Sequence, residues 1–353
     1  MELVTGVVAA GVATGLVVYV SRTRRPDRQR ELLREALRLG LASSLPVAAA
    51  AALCGLAYST PLTGGLLSPQ ALALAAACGW LAVVPLLINN LWLGQQRRGP
   101  MLALAAGVAT LSVAAAAWLP QAGLVPALAL VQAAPALLLL VIRPSPVAPR
   151  FRAQSHPLRR YIAPGFSIGI LSALSTLAAR SVVGETLSWH DAGVLQALWR
   201  VADWVGAFAG GILSLHFLPR FAAARGTPAF AEELRRATQW IVLPSVAVFA
   251  VLFAFQRPLL ALLYDESFSA SAPSVAAIFA GSAVRVASWI PLFALFAMRR
   301  TWAVAVGELF SLPLFATLIF FTREGATLER VGMLWLFSYA AYAAFNWWAM
   351  RRP

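Results

Sequence analysis

Within the apolar run AGVLQALWRVADWVGAFAGGILSLHF, residues 192–217, an arginine and an aspartate lie three positions apart: Arg200 and Asp203. A guanidinium presents a planar fork of donors that fits phosphate or carboxylate oxygens, and a carboxylate can take up a proton or a cation. Neither charge helps an apolar helix to insert. On insertion scales each costs about 2.5–3.5 kcal/mol at the helix centre. Kept together, they mark either a polar site or an internal ion pair that glues two helices. On a helix Gln196, Arg200, Asp203, Ala207, Gly210 and Ser214 share one face, with Leu195, Leu198, Trp199, Val205, Ile212 and Leu213 opposite. A polar stripe of this kind in a membrane meets a partner helix or a water-filled cavity.

Other polar groups sit deep in apolar runs. Arg285 lies well inside the run 273–297, with Ser282, Ser288 and Trp289 at helical spacing, and Glu308 lies inside the run 301–321 with Ser311 close behind it. Asn89 and Asn90 close the third run, Gln132 is midway along the fifth, and Gly165, Gly169, Ser172 and Thr176 form a small polar stripe in the sixth. The candidate cavity set is Arg200, Asp203, Gln196, Arg285, Glu308 and Asn89. For Asn89, Asn90, Gln132 and the serines, helix–helix hydrogen bonding is the competing reading. Cations in a cavity suit an anionic substrate, and desolvation would let Asp203 or Glu308 take up a proton.

The sequence carries no catalytic constellation: no Walker loop, no GxSxG, no HExxH and no paired acids at glycosyltransferase spacing. His190 and Asp191 fall in an expected outer loop, and His156, His190 and His216 have no metal-ligand spacing, so neither an enzyme nor a metal or cofactor is expected. Cys54 and Cys78 both lie in apolar runs and read as buried thiols.

The elements that must hold these groups follow from composition. Apolar residues make up 60% of the chain and charged residues 12%, against about 25% charged in soluble domains, so the chain is an all-α polytopic membrane protein. Mean hydropathy is +0.75. Runs long enough to span a bilayer fall at 3–20, 38–57, 71–92, 101–119, 122–142, 161–180, 192–218, 237–256, 273–297, 301–321 and 331–349. All 28 basic residues are arginines, scattered between the runs rather than gathered on one domain, which argues against nucleic acid and for anionic lipid headgroups as partners. Alternate connections hold 22 arginines on one side of the membrane and 3 on the other. The positive-inside rule puts the rich side and the C-terminus in the cytoplasm, and eleven spans then put the N-terminus outside. Only Met1 and Glu2 precede the first run, so one further span is expected before it.

With that span restored, the proline- and arginine-rich stretch 143–160 divides the helices six and six. The expected organisation is an N-terminal lobe over 1–142, a cytoplasmic linker over 143–160 and a C-terminal lobe over 161–353, around a central cavity. No residue-level repeat between the halves stands out. Residues 22–40 read either as an amphipathic helix on the inner leaflet or as a connector that extends the next span, and 256–273 as an outer hairpin or short interfacial helix.

The stretch SWHDAGVLQALWRVADWVGAFAGGILSLHFLPRFA (188–222) resembles the seventh span of the Wzx-type oligosaccharide-lipid flippases, with Gln196, Asp203 and the Leu218–Pro219 pair matching the family pattern. The branch it looks most like is the translocase of enterobacterial common antigen lipid III. AMRRTWAVAVGELFSLPLF (297–315) is similar to that family's basic turn and glutamate-bearing span, and FSYAAYAAF (337–345) to its tyrosine-bearing last span. At 285 the family often has a lysine, so Arg285 keeps the charge. The chain starts within what would be the family's second span. The resemblance implies flipping of an undecaprenyl-diphosphate-linked oligosaccharide across the bacterial inner membrane by alternating access, for O-antigen or common-antigen assembly. The cavity arginines would hold the diphosphate or acidic sugars. A polysaccharide polymerase and a chain-length regulator are the further partners it implies. The alternatives are a cation-coupled drug exporter of the same multidrug/oligosaccharidyl-lipid/polysaccharide exporter superfamily, a membrane polymerase or glycosyltransferase, and a non-functional remnant.

Overall fold

The computed structural model describes residues 5–6, 8–23, 25–57, 68–118, 121–142, 157–264 and 266–352. Among these it is helical throughout, without strands, and each of the eleven expected runs falls on helix. Seven helical segments, some made of consecutive helices, are long and apolar enough to cross a membrane: Pro26–Ala57, Pro69–Gly94, Leu158–Thr186, Trp189–Ala224, Ala229–Ala254, Ala272–Ala297 and Thr301–Phe321. Shorter apolar helices cover Gly11–Val20, Gly99–Ala115 and Pro126–Ala136. The protein is a multi-pass all-α membrane protein. Its chain forms two compact units, Met1–Gly169 and Ile170–Pro353. The division falls beyond the expected start of the second lobe at 161, because Leu158 and Tyr161 are buried with the first unit. Most of the expected linker 143–160 lies outside the described residues.

The first unit contains α1 (Thr14–Val20), α2 (Pro26–Ala57), α3 (Pro69–Leu81), α4 (Val83–Gly94), α5 (Arg98–Trp118), α6 (Gln121–Ile142) and the short α7 (Ile162–Phe166). Pro26 opens α2, where its missing N–H has no intrahelical role. At 32 residues, about 48 Å by the helical rise, α2 is longer than the roughly 30 Å hydrocarbon layer. From Pro26 onward the arginine-rich stretch is therefore the start of a continuous helix, as in the connector reading. Leu32, Ala36 and Leu37 turn inward against Val83, Leu87 and Leu16. Gln95 Nε2 donates to Gln29 Oε1 at 2.8 Å, tying the polar start of α2 to the end of α4.

The second unit contains α8 (Ser172–Thr186), α9 (Trp189–Ile212), α10 (Leu218–Ala224), α11 (Ala229–Ala254), α12 (Gln256–Leu263), α13 (Ala272–Ala297), α14 (Thr301–Gly307), α15 (Leu312–Phe321) and α16 (Leu328–Arg351). Helix starts are written in the sequence. Ser188 Oγ accepts from the Asp191 N–H at 2.9 Å and Thr327 Oγ1 from the Arg330 N–H at 3.2 Å. The core helix is α13, which packs most closely on α16. A β-carbon at Gly281 would collide with Trp335 Cδ1 and sit 2.9 Å from the Leu336 backbone, closer than real β-carbons come, so glycine there lets the two helices approach this far. The stretch 256–273 does contain a short helix, α12, anchored by buried Leu260.

Two features depart from the sequence reading. The run 301–321 is not one helix: α14 ends at Gly307, a 3-10 turn covers Glu308–Phe310, and α15 begins at Leu312 with Pro313 in its first turn. Proline cannot donate to the preceding turn and clashes with it, so the helix breaks where Glu308 sits. The two units also share a local device. The Gln96 N–H bonds Leu93 O at 2.9 Å and the Arg97 N–H bonds Trp92 O at 2.8 Å; the Arg299 N–H bonds Phe296 O at 3.0 Å and the Arg300 N–H bonds Leu295 O at 2.9 Å. Both are Schellman closures of a membrane helix, at the ends of α4 and α13, with a left-handed residue at the hinge and arginines just after it. That residue is not glycine in either case: φ is 59° at Gln96 and 63° at Arg299.

An L-residue in that conformation costs roughly 1–2 kcal/mol, part of which glycine gives back through unfolded-chain entropy. Gln96 is exposed, so Gln96→Gly is expected to stabilise the protein by about 0.5–1 kcal/mol. Thermal unfolding in detergent checks this, and an unchanged or lowered midpoint would refute the strain assignment.

Candidate functional site

Asp203 does not pair with Arg200 on its own helix. Arg285 of α13 donates from Nη2 to Asp203 Oδ1 of α9 at 2.6 Å, with side-chain exposures of 11% for the arginine and 47% for the aspartate. The more deeply buried guanidinium takes the carboxylate, because an unpaired charge inside the bundle is the costlier arrangement. The ion-pair reading therefore applies between helices rather than along α9.

Small residues on α9 make room for this contact. A β-carbon on Gly206 would lie 3.1 Å from Trp289 and 3.2 Å from Arg285 Nη2, and one on Gly210 would lie 3.3 Å from Trp289. Around the guanidinium stand three aromatic rings, its carbon lying 5.6 Å from the Trp289 and Trp335 centroids and 5.9 Å from Tyr339. Aromatic faces of this kind stabilise a desolvated cation. Trp335 in turn packs on Trp199 and Tyr339, both at 4.7 Å, and on Phe315 at 5.0 Å. Its indole N–H donates to Ser282 Oγ at 3.2 Å.

A second polar centre lies at the break between α14 and α15. Glu308 is buried, accepts from the Tyr342 hydroxyl at Oε1, and has Ser311 Oγ at 3.1 Å from Oε2. Asn346 is fully buried on the same helix as Tyr342, next to Gly307, and neither of its amide atoms has a hydrogen-bond partner among the described residues. The rings of Tyr339 and Tyr342 meet edge to face at 6.1 Å. A chain of polar and aromatic groups thus runs from Asp203 through Arg285, Tyr339 and Tyr342 to Glu308.

The six sequence candidates separate accordingly. Asp203, Arg285 and Glu308 belong to this chain. Arg200 is exposed on α9 and has no ion pair among the described residues; Trp204 and Phe208, one and two turns further on, are exposed beside it. Gln196 is half-buried one turn before it. Asn89 lies in the first unit, half-buried on α4, with Oδ1 unpartnered among the described residues. Sequence reasoning missed Trp335, Tyr339, Tyr342 and Asn346 as a set. Their signal was spacing: four, three and four residues apart, they occupy one face of α16.

Removing Asp203 strands a buried cation, whereas removing both charges does not. Asp203→Ala is expected to cost on the order of 2 kcal/mol, below the 3–5 kcal/mol of a fully buried pair because Asp203 reaches the surface, and Arg285→Met is expected to recover most of the loss in the double variant. Additive losses in thermal unfolding would show that the pair is not coupled.

The whole chain can be compared with known proteins on this basis. No family profile and no curated protein matches its sequence. Solved structures do match its fold. The outward-facing conformation of a multidrug resistance MATE family transporter of the MOP superfamily superposes with a TM-score of 0.75 at 14% identity, covering 98% of this chain and 84% of that one. A crystal structure of MATE in complex with MaL6 gives 0.75 at 14% identity over 98% of this chain and 85% of that one. A MOP superfamily transporter from Pyrococcus furiosus, described as having a binding pocket of reverse polarity that suggests a different function, gives 0.68 at 14% identity over 99% and 84%. The chain has the fold of the MATE transporters of the MOP superfamily.

Proposed function

We propose that this protein is a transporter that flips an undecaprenyl-diphosphate-linked oligosaccharide from the cytoplasmic to the periplasmic leaflet of a bacterial inner membrane. The transporter fold supports the transport half of this reading. The observation that carries the substrate half is Arg200: an exposed guanidinium within a membrane span, without a counter-ion among the described residues, one turn from Gln196. A free guanidinium there attracts a diphosphate or an acidic sugar through bidentate, charge-assisted hydrogen bonds, and it repels a cationic drug. One solved transporter of this fold is itself described as having a binding pocket of reverse polarity suggesting a different function, so the fold accommodates more than one pocket charge. Arg285 is committed to Asp203 and contributes to the architecture of the site rather than a free charge. Asp203 and Glu308 are the carboxylates of the polar chain in this unit, and we assign uptake of the coupling proton to them.

The test is translocation of a lipid-diphosphate-linked oligosaccharide in proteoliposomes. Arg200→Ala is expected to slow flipping about tenfold or more, the value of one charge-assisted contact, with folding intact because Arg200 is exposed and has no ion pair among the described residues. Arg200→Lys should recover part of the rate. Asp203→Asn and Glu308→Gln should abolish its acceleration by an imposed proton gradient. Full flipping by Arg200→Ala would overturn the substrate assignment, and efflux of a cationic drug by the wild-type chain would favour the exporter alternative.

A further inference from the structure

At one end of the second unit the loop between α10 and α11 faces the turn after α13. Between them is a cleft of about 370 Å³ lined by Arg225, Gly226, Thr227, Phe230, Met298 and Arg300. We infer that this cleft binds the phosphate headgroup of an anionic phospholipid.

The argument begins with charge. Arg225 follows the last residue of α10 and is half-buried, yet it makes no hydrogen bond or ion pair among the described residues. Arg300 stands across the cleft. Its Nη1 donates to Ala349 O at 2.8 Å and also to Arg352 O, so it caps the C-terminus of α16 with one nitrogen and keeps its other donors out of those bonds. Two guanidiniums on opposite walls form a fork for a phosphate diester. Thr227 keeps its own hydroxyl on the Ala224 carbonyl at 2.7 Å, which fixes the loop, and Gly226 turns the chain at φ 79°.

The depth of the cleft supplies the second argument. Arg300 ties it to the end of α16, where Arg352 lies 3.8 Å over Trp348 and Arg351 lies 5.8 Å over Trp347. Tryptophans flanked by arginines at a span's end mark the headgroup layer. Met298 closes a helix whose last residues are buried and apolar, and Phe230 packs on Phe221 at 5.8 Å. A phosphate with apolar groups attached fits such a wall, and a bare, fully hydrated anion does not. Arg220, Arg235 and Arg236 on the neighbouring helices raise the local potential, offset in part by their ion pairs with Glu232 and Glu233.

The experiment is a titration of the detergent-solubilised full chain, read by native mass spectrometry, with phosphatidylglycerol, phosphatidylcholine or inorganic phosphate. The wild-type chain is expected to retain a first phosphatidylglycerol in preference to phosphatidylcholine. Arg225→Gln should weaken that first binding about fivefold, the worth of one arginine at an anionic headgroup, while Arg225→Lys retains most of it. Arg257→Gln, at an exposed arginine away from the cleft, should leave it unchanged. Equal retention by wild-type and Arg225→Gln, or an equal loss in Arg257→Gln, would overturn the site. Inorganic phosphate that binds as tightly as the lipid would overturn the lipid as its occupant.

Discussion

A guanidinium carried into an apolar bundle must find a counter-charge, and the layout of the second unit follows from how Arg285 finds one. Asp203 has to come from a different helix, so α9 and α13 must approach at that level. Glycine at 206 makes room for the approach, because a β-carbon there would crowd both Arg285 and Trp289. The remaining faces of the cation are closed by rings: Trp289 from α13 itself, and Trp335 and Tyr339 from α16, which lies close against α13 at Gly281. One buried charge therefore selects the small residues, the aromatic residues and the helix that supplies them. A hydrophobic side chain at 285 would remove the reason for each of these choices.

A charged pair is kept where an apolar contact of similar volume would hold as well, which fits the proposed transport role, in which helices change neighbours. The pair is also lopsided. Its cation is enclosed, and its anion is about half open to the surroundings. A group that reached Asp203 would compete with Arg285 for it, and Arg285 is in contact with the aromatic cluster that leads through Tyr339 and Tyr342 to Glu308. Arg200 stands apart from this arrangement: it is exposed and has no ion pair among the described residues.

Much of this was legible before any coordinates. Hydropathy runs marked where helix is found, because a span must be apolar over its length. Depth in a run was enough to single out Asp203, Arg285 and Glu308. What the sequence did not disclose was partnership. Arg200 and Asp203 looked like the pair because they are neighbours along one helix, yet the choice of partner is made by relative burial across helices, which no single segment records. The tyrosine-bearing span was noted, but not that Trp335, Tyr339 and Tyr342 share one face of α16, a grouping that gains meaning only when a cation is placed against it. The repeated closure at Gln96 and Arg299 escaped notice for a similar reason: the usual sign of a left-handed cap is glycine, and neither position has it.

The interruption at Glu308 has a mechanical side. An intact helix resists bending because each turn is clamped to the next by backbone hydrogen bonds. Between α14 and α15 the proline and the unwound turn have removed part of that clamp, so bending stiffness is lowest at the residue whose carboxylate is bonded to Tyr342 and Ser311. Compliance and charge thus coincide at one point. A change in the bonding of Glu308 is delivered where the rod is easiest to flex, and a flexing of the rod is felt first by Glu308.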